Sequence, residues 1–229
     1  MSNARTQALL QSIMGAKMYQ SSDKDETPST VPLITVSRGF GANGSEIAAR
    51  LAERLQVPLY DKELINEVTR QAKADPFLTK QLDERISGAM ADWITSMFTG
   101  QSTSQDTFNY YMVKVIMNIA PQGGVIVGRG AHLLLSQKHR VFRLRVEGSL
   151  HVCAERVAKR EDIKLKKAEK RVVQVDKERR DFVEGLYKNR STRHNFYDMV
   201  INTDLFKPQA TVGVVELALA EMGFVIPKK

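Results

Sequence analysis

Leu33, Ile34, Thr35 and Val36 form a short apolar, partly β-branched run that stops at a glycine-rich turn, the mark of a buried strand. Beyond the turn, Ile47, Ala48, Leu51 and Leu55 recur at helical spacing, so the opening unit reads strand, glycine loop, helix. Val57 to Tyr60 reads as a second short strand, and Leu64, Ile65, Val68 and Ala72 as one face of the helix after it. From 75 to 121 the period stays helical. Asp75-Pro76 supplies a cap residue and a proline suited to a first turn, Trp93, Ile94, Met97 and Phe98 share a face, and Gly100 to Asp106 is a polar loop. Phe108, Tyr111, Met112, Val115, Ile116 and Ile119 then make the longest helical stripe of the chain. Strands return at Val125 to Val127, Val141 to Val146 and Met199 to Asn202, with Arg143 and Arg145 alternating outward. Between them lie a helix capped by Ser149, a long basic helix after Lys164, and last a helix starting at Pro208. Strands alternating with helices predict a mostly parallel α/β sheet with right-handed crossovers.

Residues 1–30 read as an N-terminal helix and a lead-in whose polar part, 20–30, is flexible, ahead of one domain over 31–229. The single cysteine, Cys153, excludes a disulfide framework within the chain and suits a reducing, cytoplasmic setting, and its place on an apolar helix side predicts an inert buried thiol. No apolar run is long enough to cross a bilayer, so no membrane partner is expected. The net charge of +8 sits in about a quarter of the chain: residues 138–193 hold 18 Lys or Arg against 9 Asp or Glu. Such a balance suits solvated helix faces or a polyanionic ligand. His132, His139, His151 and His194 show no metal-ligand spacing.

The chemistry concentrates between the first strand and its helix, in Ser37-Arg38-Gly39-Phe40-Gly41-Ala42-Asn43-Gly44-Ser45-Glu46. Glycines admit positive φ and bring backbone N–H groups close to an anion, and a helix N-terminus adds partial positive charge. Gly39, Gly41 and Gly44 match the dinucleotide fingerprint, with Asp61 near the ribose-binding distance; Gly39 and Gly44 also match a P-loop whose lysine and hydroxyl positions are filled by Ser45 and Glu46. The spacing alone slightly favours the dinucleotide reading, because the lysine that holds β- and γ-phosphates is missing.

The wider chain resembles the cytidylate kinase-like family of P-loop kinases, through ITVSRGFGANGSEIAARLAERLQVPLYDKELI, VIVGRGAHLLL, VDKERRDFVEGLY and YDMVINTDL. The resemblance implies a three-layer, P-loop NTPase-like α/β fold with strand order 2-3-1-4-5. It also implies a helical nucleoside-monophosphate region, placed at 75–121, and a mobile basic lid, placed at 161–193. It implies a kinase using ATP and Mg2+ on a nucleoside monophosphate or similar small acceptor. Gly39, Gly41, Ala42, Asn43, Gly44, Ser45 and Glu46 would hold the donor phosphates, with Glu46 on the metal. Arg38, Arg129 and Arg179 would act on the transferring group, Asp61 and Arg129 on the acceptor, and Arg156, Arg160, Asp176, Lys177 and Arg179 within the lid. Asp61 is also suited to capping the helix at Lys62, and Arg156 and Arg160 to an exposed helix face. A nucleotide-binding module without catalysis is the alternative, motivated by the missing lysine, with a dinucleotide oxidoreductase behind it. Nucleic acid lacks an aromatic-interleaved motif here, and homo-oligomer formation stays open.

Overall fold

A computed structural model describes residues 2–15, 31–84, 86, 88–98, 104–135, 140–186 and 197–227. The polar lead-in at 20–30, His139, His194 and the last part of the 161–193 region lie outside them. In chain order the elements are α1 (Ser2–Gly15), β1 (Leu33–Arg38), α2 (Gly44–Leu55), β2 (Leu59–Tyr60), α3 (Lys62–Ala74), α4 (Pro76–Glu84), α5 (Gly88–Met97) and α6 (Ser104–Ile119). A 3-10 turn (Ala120–Gln122) leads to β3 (Gly124–Val127), α7 (Ala131–Leu134), β4 (Val141–Glu147), α8 (Leu150–Glu161), α9 (Leu165–Leu186), β5 (Met199–Asn202) and α10 (Pro208–Glu221). They fall into two compact units, one of residues 30–59 and 124–229, the other of residues 1–29 and 60–123.

The first unit is built on the sheet, whose strand order is β2-β3-β1-β4-β5. β1 runs parallel to β3, with Leu33 facing Gly124, and parallel to β4, with Leu33 facing Val141; β4 and β5 are parallel with Leu144 facing Met199. A parallel sheet covered by crossover helices is apolar along its whole central strands. Accordingly Ile34, Val36, Val125, Val127, Leu144 and Val146 are buried with Ile47 and Leu51 of α2, Val157 of α8, Val172 of α9 and Val215 of α10 in one cluster. Arg54 of α2 pairs with Glu216 of α10 at 2.6 Å, fixing those two helices side by side. β1 lies between β3 and β4. A dinucleotide-binding sheet places its second strand directly beside the first, so this order sets the oxidoreductase alternative aside.

The second unit is helical. Leu64, Ile65, Val68 and Ala72 of α3 are buried, as are Met112, Val115, Ile116 and Ile119 of α6, and these two helices pack on each other. Lys114 is buried within α6; its ammonium pairs with Asp83 and lies 4.0 Å from the centre of the Tyr110 ring, which compensates the charge. Among the described residues no helix is long and apolar enough to cross a membrane.

Candidate phosphate-binding site

β1 delivers the chain to Arg38 at the carboxyl edge of the sheet, where open α/β folds take their ligands. The turn that follows is pinned at its start: the Gly39 N–H donates to the Val146 carbonyl (2.9 Å), the Phe40 N–H to Asp176 Oδ1 (2.8 Å), and the Ala42 N–H to the Gly39 carbonyl (3.3 Å). Gly41 has φ 85° and lies against the Cys153 carbonyl; a Cβ there would collide with that backbone oxygen. Asn43 has φ 57°, after which α2 begins at Gly44. Among the described residues the N–H groups of Gly41, Asn43, Gly44, Ser45 and Glu46 have no hydrogen-bond partner. Gly39, Phe40 and Ala42 have thus spent their amides internally, while Gly41 and the helix end keep free donors, the latter where the macrodipole is positive.

Gly41→Ala is accordingly expected to cost about 3 kcal/mol, from the left-handed backbone and the forced contact with Cys153 together. The urea midpoint would fall by the corresponding amount. An unchanged midpoint would mean the turn relaxes freely.

Arginines surround this helix end. The Arg38 side chain runs between Gly44 and Gly128, at both of which a Cβ would strike it, so the glycines leave its channel open. Arg129 stands in a turn of three successive positive-φ residues (Gly128 75°, Arg129 56°, Gly130 67°), with its guanidinium over the Phe182 ring at 5.2 Å. Arg156 is no free surface cation: it donates to Thr203 Oγ1 (3.0 Å), to the Thr203 carbonyl (2.6 Å) and, at 3.4 Å, to the Gly41 carbonyl. Arg179 donates to the Arg38 carbonyl (3.0 Å) and reaches Asp176 at 3.4 Å. Burial lowers its pKa, and the nearby Arg145 and Arg160 lower it further against the opposing pull of Asp176. The cations here are therefore crowded, and an anion would relieve them. A cavity of about 330 Å³ opens beside Gly39, lined by Arg145, Glu147, Leu150, Asp176 and Arg180 among others.

Other expected site residues are directed elsewhere. Lys177 extends to Asp181 on its own helix (2.7 Å) and Glu46 is drawn along α2 to Arg50 (2.9 Å), whereas Arg160, though paired with Glu161 (3.1 Å), keeps its guanidinium 5.0 Å from the Phe40 ring of the loop. Asp61, in the helical unit, caps α3 through the Leu64 N–H (2.9 Å) and pairs with Arg5 of α1 at 3.0 Å. Cys153 is buried, which raises its thiol pKa. Among the described residues no three His, Cys, Asp or Glu side chains gather as a metal cage. A magnesium ion carried on nucleotide phosphates asks for only one or two protein oxygens, and Ser45 and Glu46 supply oxygens on the first turn of α2.

A family model described as the cytidylate kinase-like family matches residues 33–205, from β1 to just beyond β5. The chain belongs to the cytidylate kinase-like family. A curated cytidylate kinase from Pyrococcus horikoshii is 29% identical over 101 residues, 44% of this chain and 52% of the relative, so the chain spans about half the length of the curated relative it matches. An uncharacterized protein of Eubacterium ventriosum has the same fold, with a TM-score of 0.61 and 21% identity, over 82% of this chain and 98% of that one. A shikimate kinase from Bacteroides thetaiotaomicron aligns at a TM-score of 0.46 and 12% identity over 82% and 98%. The cytidylate kinase-like region holds the loop, the arginines and both glycine turns, and α1 lies outside it.

Sequence reasoning missed a second structural feature of this edge. Ser37 Oγ and Tyr197 Oη each lie 3.2 Å from a nitrogen of the buried His132, on Nδ1 and Nε2 respectively. The Tyr197 ring stacks on the imidazole at 4.9 Å. Also missed were Phe40, Arg145, Arg171 and Arg180; only the local basic excess hinted at the arginines.

Proposed function

We propose that the protein transfers the γ-phosphoryl group of ATP, with Mg2+, to a nucleoside monophosphate or similar small acceptor. The observation that carries this reading is the set of unbonded N–H groups opening α2, with the Arg38 side chain against Gly44 and the crowded Arg179 guanidinium on the Arg38 carbonyl, which suits a polyphosphate rather than a neutral ligand. In this reading the amides from Gly41 and Asn43 to Glu46, with Arg38, hold the donor phosphates in place of the absent lysine. An acceptor phosphate oxygen attacks the γ-phosphorus, the bond from that phosphorus to the β-γ bridging oxygen breaks, and the nucleoside diphosphate leaves. Arg129, on its glycine-flanked turn, holds the acceptor phosphate through paired N–H groups. Arg179, with Arg160, carries the charge on the transferring group, for which positioning and electrostatics supply most of the rate, while Arg156 ties the Gly41 carbonyl to Thr203. Magnesium, when bound, neutralises part of the donor charge.

The family name makes cytidine monophosphate the first acceptor to test. Purified protein given ATP, Mg2+ and a panel of cytidine, uridine and adenosine monophosphates should convert at least one to its diphosphate. ATP binding with no turnover on any acceptor would select the second reading, a non-catalytic nucleotide module, which the serine at the lysine position favours. Absence of ATP binding would overturn both.

A further inference from the structure

Phe40 is the sole aromatic residue of the loop, and its ring is set among cations. Three guanidinium carbons lie near its centre: Arg160 at 5.0 Å, Arg179 at 5.5 Å and Arg171 at 5.9 Å. All fall within the roughly 6 Å over which an aromatic face attracts a cation. They come from two helices. Arg160 is on the last turn of α8, while Arg171 and Arg179 stand on α9 some 12 Å apart along its axis at ~1.5 Å per residue, so their side chains converge on a single ring. Glu161 ties Arg171 (2.7 Å) to Arg160 (3.1 Å), and Asp176, between Arg171 and Arg179 in sequence, accepts the Phe40 N–H. One loop residue therefore meets α9 through both its backbone and its ring.

The chemistry of the contact matters. A guanidinium paired with a carboxylate spends its N–H fork on that partner, whereas one stacked on a ring keeps its edge donors for an incoming oxyanion. Arg160 and Arg171 each use part of the fork on Glu161; Arg179 uses Nη1 on the Arg38 carbonyl and Asp176. The remaining donors stay beside the phosphate-binding turn because the ring offsets some of the mutual repulsion of the cations. A leucine would fill a similar apolar space without a π face to do so.

We propose that Phe40 is a positioning residue that gathers Arg160, Arg171 and Arg179 at the mouth of the phosphate-binding turn before any ligand arrives. The inference rests on the phosphate-site reading and adds to it which residue presets the arginines. The test compares wild-type protein with Phe40→Leu, Phe40→Tyr and Phe40→Trp, using inorganic tripolyphosphate as the calorimetric probe and thermal unfolding as a control. Phe40→Leu should bind about tenfold more weakly than wild type, while Tyr or Trp holds affinity within about twofold. Equal affinity in wild type and Phe40→Leu overturns the inference, whether or not Tm falls, because the ring then serves packing alone. Failure of both aromatic variants to restore binding overturns it too. Wild-type protein that does not bind tripolyphosphate overturns the phosphate site itself, and this inference with it.

Discussion

On the proposed phosphotransferase reading, Arg179→Ala is expected to slow phosphoryl transfer by about a thousandfold, the lower end of what a transition-state arginine contributes, while shifting Tm by no more than about 3 °C. The two parts of the expectation have one cause. Arg179 is half-buried among like charges, and its pKa is pushed down first by burial and then by Arg145 and Arg160. A cation in such a place costs the folded state free energy, and its bonds to the Arg38 carbonyl and Asp176, with the Phe40 ring 5.5 Å away, offset that cost. Alanine removes the crowding and the two bonds together, so stability changes little. On the same reading, charge developing on a transferring phosphoryl group would lose its partner outright. Arg179→Lys should recover only part of the rate, because an ammonium lacks the planar fork that meets two oxygens at once. The check is single-turnover kinetics beside thermal unfolding, on whichever acceptor supports turnover. A rate within tenfold of wild type in Arg179→Ala would remove this residue from the transition state and leave it a helix-to-loop tie.

The strands were legible wherever an apolar run met a turn. Met199 to Asn202 is read from the sequence at the bounds the structure shows, whereas the run from Val57 contributes only Leu59 and Tyr60 to the ladder. The reason is Pro58: it has no N–H to give, and only its carbonyl joins the sheet, accepting from Val125 (2.8 Å). Ser104 to Asp106 reads as loop yet opens α6, where Asp106 suits the positive end of the helix and Gln105 bonds Asn109 one turn on (3.0 Å). α7 leaves no periodic signal because four residues make about one turn. At the candidate site, the glycines were legible because positive φ and close approach demand them at Gly41 and Gly128. The partners of the loop were not. Asp176 is 136 residues from Phe40, and neither composition nor spacing records which of many arginines will face one ring. The Ser37, His132 and Tyr197 chain was hidden for the same reason, its members being 95 and 65 residues apart.

That chain carries the largest expected pH effect. His132 is 8% exposed, and its pKa is lowered from 6.5 to about 4, by burial first and then by Arg145 and Arg143. A neutral imidazole offers one N–H and one lone pair, so one of the two hydroxyls donates to it and the other accepts. Between pH 6.5 and about 4 the unfolded chain takes up a proton that the native imidazole refuses. Stability must therefore fall as the solution is acidified through that window, by about 3 kcal/mol in all. Asp198 acts lower down: although burial would raise its carboxyl, hydrogen bonds from Arg143 hold it below its usual 3.8, so its contribution is lost only below that pH. His132→Gln removes the titration while retaining a donor and an acceptor. At pH 7 it should be about 2 kcal/mol less stable than wild type, through imperfect bonds to Ser37 and Tyr197 and the lost stacking. By about pH 5 the wild type has given up a similar amount, so the two urea-unfolding curves should meet there and the variant should be the more stable at pH 4.5. A constant gap between the two proteins from pH 7 to 4.5 would show that His132 binds its proton equally well folded and unfolded, and that its burial between the two hydroxyls carries no linkage.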